Sequence, residues 1–258
     1  MNEKRVLLLL AIAVPPPALD ALGPVVAEHT VETPWGRIGP MAERASGDGP
    51  AFLVQPYFGL PTRLDPRATV WAARQLGIQR LIGWDAGVAL SRYLHRGDTV
   101  IVDDYIDHVH HQPTTLFEEW GIGGIEQVPA FCPQIREALR KALPHAIDGG
   151  VYLAVDGPRR ESRAEARLYR AWGGDVIGQN LVPEVALAKE LGLCYAGLVT
   201  VVDRAADLPP DDEGGTLRDA LRTVLEALPK VAWELVGELS CRCQQAGAGA
   251  SERRPLVE

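Results

Sequence analysis

Three carboxylates stand just past apolar runs: Asp85 in "LIGWDAGVAL", Glu161 in "AVDGPRRES" and Asp203 in "LVTVVDRAAD". Carboxyl groups in environments of different polarity can divide acid and base work between them. One held away from water carries a raised pKa and can protonate a leaving group. Plainer readings exist for each. Asp85 fits a solvated turn or a helix cap, and Glu161 fits a carboxylate at a helix N-terminus, where the macrodipole favours it. Tyr57, Gln179 and Asn180 are polar groups near the ends of other apolar runs. The stretch "DHVHH", 107–111, raises a metal, because His108 and His110 would share one face of a strand beside Asp107. The turn "AVPPPAL", 13–19, speaks against anion binding. A turn that cradles an anion presents backbone N–H groups, and Pro15, Pro16 and Pro17 have none.

These residues need strands and helices to position them. "RVLLLLAIA" reads as a buried first strand. Lys4 and Arg5 before it invite a secretory-leader reading, but the apolar run is short for one. "HTVETPWGRIGPM" reads as short strands broken by Gly and Pro, and "PAFLVQPYFGL" as a strand and loop. "PRATVWAARQLG" has helical spacing, with Val70, Ala73, Leu76 and Ile78 as its stripe and Gly77 as C-cap. "IQRLIGWDAGVAL" reads as a buried strand running into a small-residue turn, and "GDTVIVDDYID" as one strand. "CPQIREALRKALPHA" is a helix. Strands and helices then alternate through "GGVYLAVDGPRRES", "RAEARLYRAWGG", "DVIGQN", "VPEVALAKELG" and "LCYAGLVTVVD", before the closing helix "GTLRDALRTVLEALPKVAWELVGEL". The pattern predicts one α/β domain over 1–240, with a mixed, largely buried central sheet flanked by helices. The tail 241–258 is expected to be disordered. Sites in such sheets lie at the carboxyl ends of strands. The loops to watch are therefore 14–20, 54–60, 84–90, 156–162, 178–184 and 203–210.

The 258 residues are 47% hydrophobic and 23% charged, with a formal net charge of −8. That excludes a nucleic-acid binder, which needs clustered Lys and Arg, and a polybasic membrane-surface protein. No run is long enough to span a membrane. Cys132 and Cys194 lie in apolar contexts and read as small core residues. Cys241 and Cys243 have no second pair in the sequence to complete a zinc site. The expectation is a reduced, cytoplasmic chain with no metal and no cofactor.

"VDGPRRES" (155–162), "GGDVIGQNLVPEVALAKELGLCYAGLVTVVD" (173–203) and "RATVWAARQLGIQRLI" (67–82) resemble the trimeric purine nucleoside phosphorylases, most closely the methylthioadenosine phosphorylases. In that family the first stretch reads V-E-G-P-R-F-E-T. The second reads D-V-V-G-M-T-x-V-P-E, then L-G-L-C-Y-A and a strand ending in Asn or Asp. The likeness runs from about residue 30 to 240. It implies the phosphorylase fold, a homotrimer and a small-molecule substrate. Such enzymes cleave a nucleoside with phosphate as nucleophile, so they need a base pocket and an anion pocket. The resemblance gives Glu161 and Asp203 to the base pocket, with Asp203 facing N7 as adenine-type members have it. Arg160 replaces the family Phe that stacks on the base; a guanidinium can stack too, but it brings a charge. Gln179 stands at the ribose-packing Met, and Tyr57 and His108 are candidate sugar or substrate contacts. The family has no metal at the segment matching 107–111. Its histidine near the 5′ substituent is missing at Gly123-Gly124.

The anion pocket departs further. Val14-Pro15-Pro16-Pro17 replaces the family's Gly-Gly-Ser/Thr-Gly. Gln55-Pro56-Tyr57 falls where the family has Arg-His-Gly. Asp85 takes the place of a phosphate-contacting Ser/Thr, and Gln179-Asn180 that of Met-Ser/Thr. Donors and positive charge are lost and a carboxylate is gained. Two like charges about 4 Å apart repel by roughly 4 kcal/mol at an effective dielectric near 20. The expected reaction is therefore hydrolysis of a purine-type nucleoside, with Asp85 orienting water, Asn180 holding it and Asp203 assisting the leaving base. Three alternatives stand beside it. One is a natural-product enzyme carrying out cyclisation, elimination or isomerisation on a non-nucleoside. Another is an inactive homologue. The last is a phosphorylase with relocated phosphate ligands.

Overall fold

A computed structural model describes residues 6–57, 65–118, 124–211, 213–238 and 240–246. The apolar run at the start is β1 (Val6–Ala11), lying between the parallel strands β4 (Phe52–Pro56) and β5 (Arg80–Ala89). Val6 to Leu10 are all buried, as expected of a strand covered on both faces. The full sheet is mixed. Its main path runs β2 (Val25–Thr33), β3 (Gly36–Arg44), β4, β1, β5, β10 (Val176–Gly178), β9 (Val151–Val155) and β7 (Asp104–His108). A branch leaves β5 through β11 (Cys194–Arg204) to β6 (Thr99–Ile101) and β8 (Ile147–Asp148). Among the described residues six α-helices cover it: α1 (Pro66–Gln75), α2 (Pro133–Ala142), α3 (Arg163–Ala171), α4 (Glu184–Glu190), α5 (Leu217–Glu234) and the short α6 (Cys243–Ala246). The α/β class with a mixed sheet flanked by helices is the observed one. Among the described residues no helix is long and apolar enough to cross a membrane.

Local signals explain the helices. Asp65 caps α1 by accepting from Arg67 N, and Pro66 opens it. Gly77 follows with φ +74°, which favours glycine. Ser162 and Glu165 close a capping box over the start of α3.

Several expectations are corrected. Residues 84–90 are not a turn: β5 continues through Asp85 to Ala89. Its glycines serve packing instead. A Cβ at Gly83 would sit 2.1 Å from the Tyr195 hydroxyl, and one at Gly87 would sit 2.3 Å from Val199 Cγ1. "HTVETPWGRIGPM" belongs to two nine-residue strands of a hairpin, β2 and β3. "GDTVIVDDYID" divides into β6, which pairs with β11, and β7, which pairs with β9. Of the tail, residues 241–246 are described. Cys241 and Cys243 pack against the core, and α6 follows at once; residues 247–258 lie outside the described residues. Nor does that cysteine pair lack a second: the fold brings Cys132 and Cys194 to it.

Candidate active site

Asp85 lies in the middle of β5, in register with Ala11 on one side and Val199 on the other. Its side chain is shut in by the packed sheet, and the residue is 1% exposed. Five donors converge on it. Tyr152 Oη donates to Oδ2 at 2.6 Å, joined by Gln179 N at 3.1 Å and Asn180 N at 3.3 Å. Asn180 Nδ2 donates to Oδ1 at 2.7 Å and Ala86 N at 2.9 Å. Burial pushes the carboxyl pKa up, and the bonds from Tyr152, Asn180 and the backbone pull it back. Such a carboxylate is an anchor. Its lone pairs are taken, so it is not the free base that the sequence reading expects.

The groups around it line a narrow cleft with Tyr57, Thr69, Gln112, Gln179, Asn180 and Glu184 among its walls. Glu184 opens α4 and is buried. It accepts from the Tyr57 hydroxyl on Oε1 and from the Tyr195 hydroxyl on Oε2, the latter at 2.8 Å. Burial raises its carboxyl to about 7, with the nearby Asp85 charge adding and the two phenols opposing. Burial and adjacent carboxylates hold the Tyr57, Tyr152 and Tyr195 phenols well above their ordinary range, so they remain donors. Gln112 Nε2 is buried and unpartnered.

The proline turn points elsewhere. A 3-10 segment, Pro16–Leu22, follows Pro15, and Ala18 N donates to Pro15 O at 2.8 Å. Pro15, Pro17, Ala18 and Ala21 line an open groove with Leu221 and Leu225 of α5.

A second cluster forms where β11 ends, after a register shift between Val201 and Asp203. Arg160 bridges its two carboxylates. Nη1 donates to Asp203, and Nη2 donates to Glu161 Oε1 at 3.2 Å and Arg204 O at 2.9 Å. Glu161 also accepts from Ala206 N at 3.0 Å, and its side chain is 2% exposed. Asp203 is not held away from water: its side chain is 58% exposed and ion-paired. Gln179 links the two clusters. It lines the cleft, and its amide lies over Gly157, where a Cβ would be 2.1 Å from Oε1.

The structure thus gathers Asp85, Asn180, Gln179 and Tyr57 in one group, and Arg160, Glu161 and Asp203 in another. His108 joins neither. Its ring packs edge-on against His110, Tyr169 and Trp172, at centroid distances of 4.5, 5.7 and 5.3 Å. Glu184, Tyr152 and Gln112 were not singled out by sequence. The signal for Glu184 was a lone charge in the apolar "LVPEVALA". Gly123, part of the missing-histidine position, lies outside the described residues.

Residues 10–236 match the model of the phosphorylase superfamily. A probable S-methyl-5′-thioinosine phosphorylase of Methanopyrus kandleri is 36% identical over 239 residues, covering 86% of this chain and 91% of that protein. The S-methyl-5′-thioadenosine phosphorylase of Pyrococcus furiosus is 31% identical, with 83% and 88% covered. In structure, the methylthioadenosine phosphorylase of Schistosoma mansoni, solved with tubercidin, superposes with a TM-score of 0.82 at 24% identity, over 96% of this chain and 97% of that one. With the matched span reaching from the end of β1 to the end of α5, the chain belongs to the phosphorylase superfamily, among the purine nucleoside and methylthioadenosine phosphorylases.

Proposed function

We propose that this nucleoside-processing enzyme hydrolyses the N-glycosidic bond of a purine-type nucleoside, with water in place of phosphate. The bond from the anomeric carbon to the base nitrogen breaks. Water oxygen bonds to that carbon and its proton goes to a base on the protein; the leaving purine takes a proton from solvent, and the base returns its own proton to solvent to close the cycle. One observation carries the reading: Asp85 Oδ1 already takes the Ala86 N–H and the Asn180 amide. Those donors sit at the positions where the family resemblance places phosphate contacts. A second anion there would meet a buried carboxylate and find its donors occupied. No cationic residue is among the described walls of the cleft.

Roles follow from the geometry. Glu184, with its carboxyl at about 7, is the base that takes the proton from water. Gln112 Nε2 is free to hold that water. Asp85 positions Asn180 and the 179–180 backbone. Glu161 and Asp203 receive the purine once Arg160 swings its guanidinium onto the ring face. The chain acts as a homotrimer, as the resemblance implies, and sedimentation measures it.

Methylthioadenosine, methylthioinosine, adenosine and inosine, each with and without phosphate or arsenate, test the reading. Free base at the same rate in both conditions is the expected result. Phosphorolysis is the second reading, favoured by the activities named for the relatives. Base release that requires phosphate would establish it. No base at all would move the chain to a non-nucleoside substrate or to an inactive homologue.

A further inference from the structure

Four cysteines from three parts of the chain converge at the amino ends of β5 and β11. Cys132 caps α2, Cys194 opens β11, and Cys241 and Cys243 lie at the start of the C-terminal segment. Their sulfurs all lie within 4.8 Å of one another. All four are free thiols, and the Cys194 and Cys241 sulfurs stand 3.3 Å apart. Zn–S bonds of about 2.3 Å in a tetrahedron put sulfurs roughly 3.8 Å apart, so little movement is needed to seat an ion.

The surroundings carry charge that neutral thiols leave unanswered. Arg80 opens β5 in register with Cys194 and is fully buried. Nη2 donates to Gly237 O at 2.8 Å, while Nε and Nη1 have no hydrogen-bond partner among the described residues. The guanidinium lies within electrostatic reach of Cys132, Cys194 and Cys241. The buried Lys189 ammonium, bonded to Pro129 O at 2.6 Å, is within reach of Cys243 and also of the Asp104 and Glu126 carboxylates. Buried charges require compensation. Four thiolates on a divalent ion carry two net negative charges, which would answer the buried Arg80 guanidinium. The Arg80 charge would lie behind the thiolate ligands, where a metal's supporting groups usually stand.

We propose that Cys132, Cys194, Cys241 and Cys243 bind one zinc ion in a closed structural site. Zinc replaces four thiol protons, which go to solvent. The ion straps residues 240–246 across α2 and β11. Gln134 already clasps that segment, with Nε2 donating to Glu238 O at 3.0 Å and Oε1 accepting from Ser240 N at 3.2 Å.

The test uses the full chain, expressed with zinc and purified under reducing conditions. Elemental analysis should find one zinc per chain. Cobalt substitution should give the visible bands of tetrahedral thiolate. The four thiols should resist a thiol reagent until a chelator removes the metal. The double variant Cys241→Ser, Cys243→Ser should lose the metal. If that variant does not fold, the cobalt spectrum and thiol titration of the unaltered chain still decide. Metal-free protein with four reactive thiols in excess zinc would overturn the proposal. So would metal-free protein whose mass shows two disulfides in place of four thiols.

Discussion

Asp85 holds five donors in a space closed to water, so its effect depends on atoms more than on charge alone. Asp85→Asn keeps the shape but turns an amide NH₂ toward groups that themselves donate. The loss should be about 1–3 kcal/mol in urea unfolding, because donors are left buried without acceptors. Asp85→Ser asks a different question. A shorter hydroxyl releases the Ala86 N–H and the Asn180 amide, and base release should then become stimulated by phosphate. Indifference to phosphate in that variant would remove Asp85 as the reason the anion is excluded. Glu184 makes a pH prediction. With a carboxyl at about 7, a base role requires the rate to rise with pH around a midpoint near 7, and Glu184→Gln should abolish that limb. Stability moves the other way. The folded pKa lies above the ordinary 4.5, so the folded state binds the extra proton between those values. The contribution is complete below 4.5 and is lost as pH rises to about 7, a change of about 3 kcal/mol relative to Glu184→Gln. Urea unfolding of both proteins at pH 5 and pH 8 measures it.

At the scale of elements, the period and punctuation of the sequence were enough to foresee β1, α1 to α5 and the strands at 151–155, 176–178 and 194–204. Asp85 was harder to place, because the glycines flanking it look the same in a turn as in a strand that neighbours must approach closely. Only the partner strands decide which. Gly178 shows the same constraint. A Cβ there would lie 2.3 Å from the Tyr152 hydroxyl and 2.5 Å from Asp85 Oδ2. β10 can come this near β9 and β5 only without a side chain. Gly178→Ala should therefore cost about 1–3 kcal/mol by overpacking, and it should lower the cleavage rate by displacing the Asp85–Tyr152 bond. α3 offers a milder perturbation. Ser162 caps it directly after Arg160 and Glu161, so Ser162→Ala should cost about 1 kcal/mol. It should raise KM more than it lowers kcat, since it loosens the base-facing segment. The Arg160 bridge was not readable beforehand, because it joins residues more than forty positions apart. Glu184 stayed hidden for a related reason: its partners Tyr57 and Tyr195 come from β4's end and from β11.

At the scale of the whole molecule, β5 and β11 run side by side with different duties at their two ends. Arg80 and Cys194 begin them; Asp85 lies five residues further along β5, roughly 16 Å away at a strand's rise per residue. The four cysteines were legible as residues but not as a group, because α2, β11 and the tail meet only through the fold. Closing the amino ends with residues 240–246 stabilises the sheet without touching the cleft. In metal-free protein, a chain ending at Glu238 should therefore lose about 2 kcal/mol, or about 4–8 °C in Tm for a domain of this size. The Gln134–Ser240 bond and the packing of Cys241 and Cys243 go with the deleted segment. KM and kcat for base release should stay within about twofold, because α6 meets α4 beside Gly192, at the end away from Glu184. A truncated chain that keeps its Tm but loses its rate would mean that the C-terminal segment acts on the cleft through β5 and β11, and the division between the two ends of the strands would be wrong.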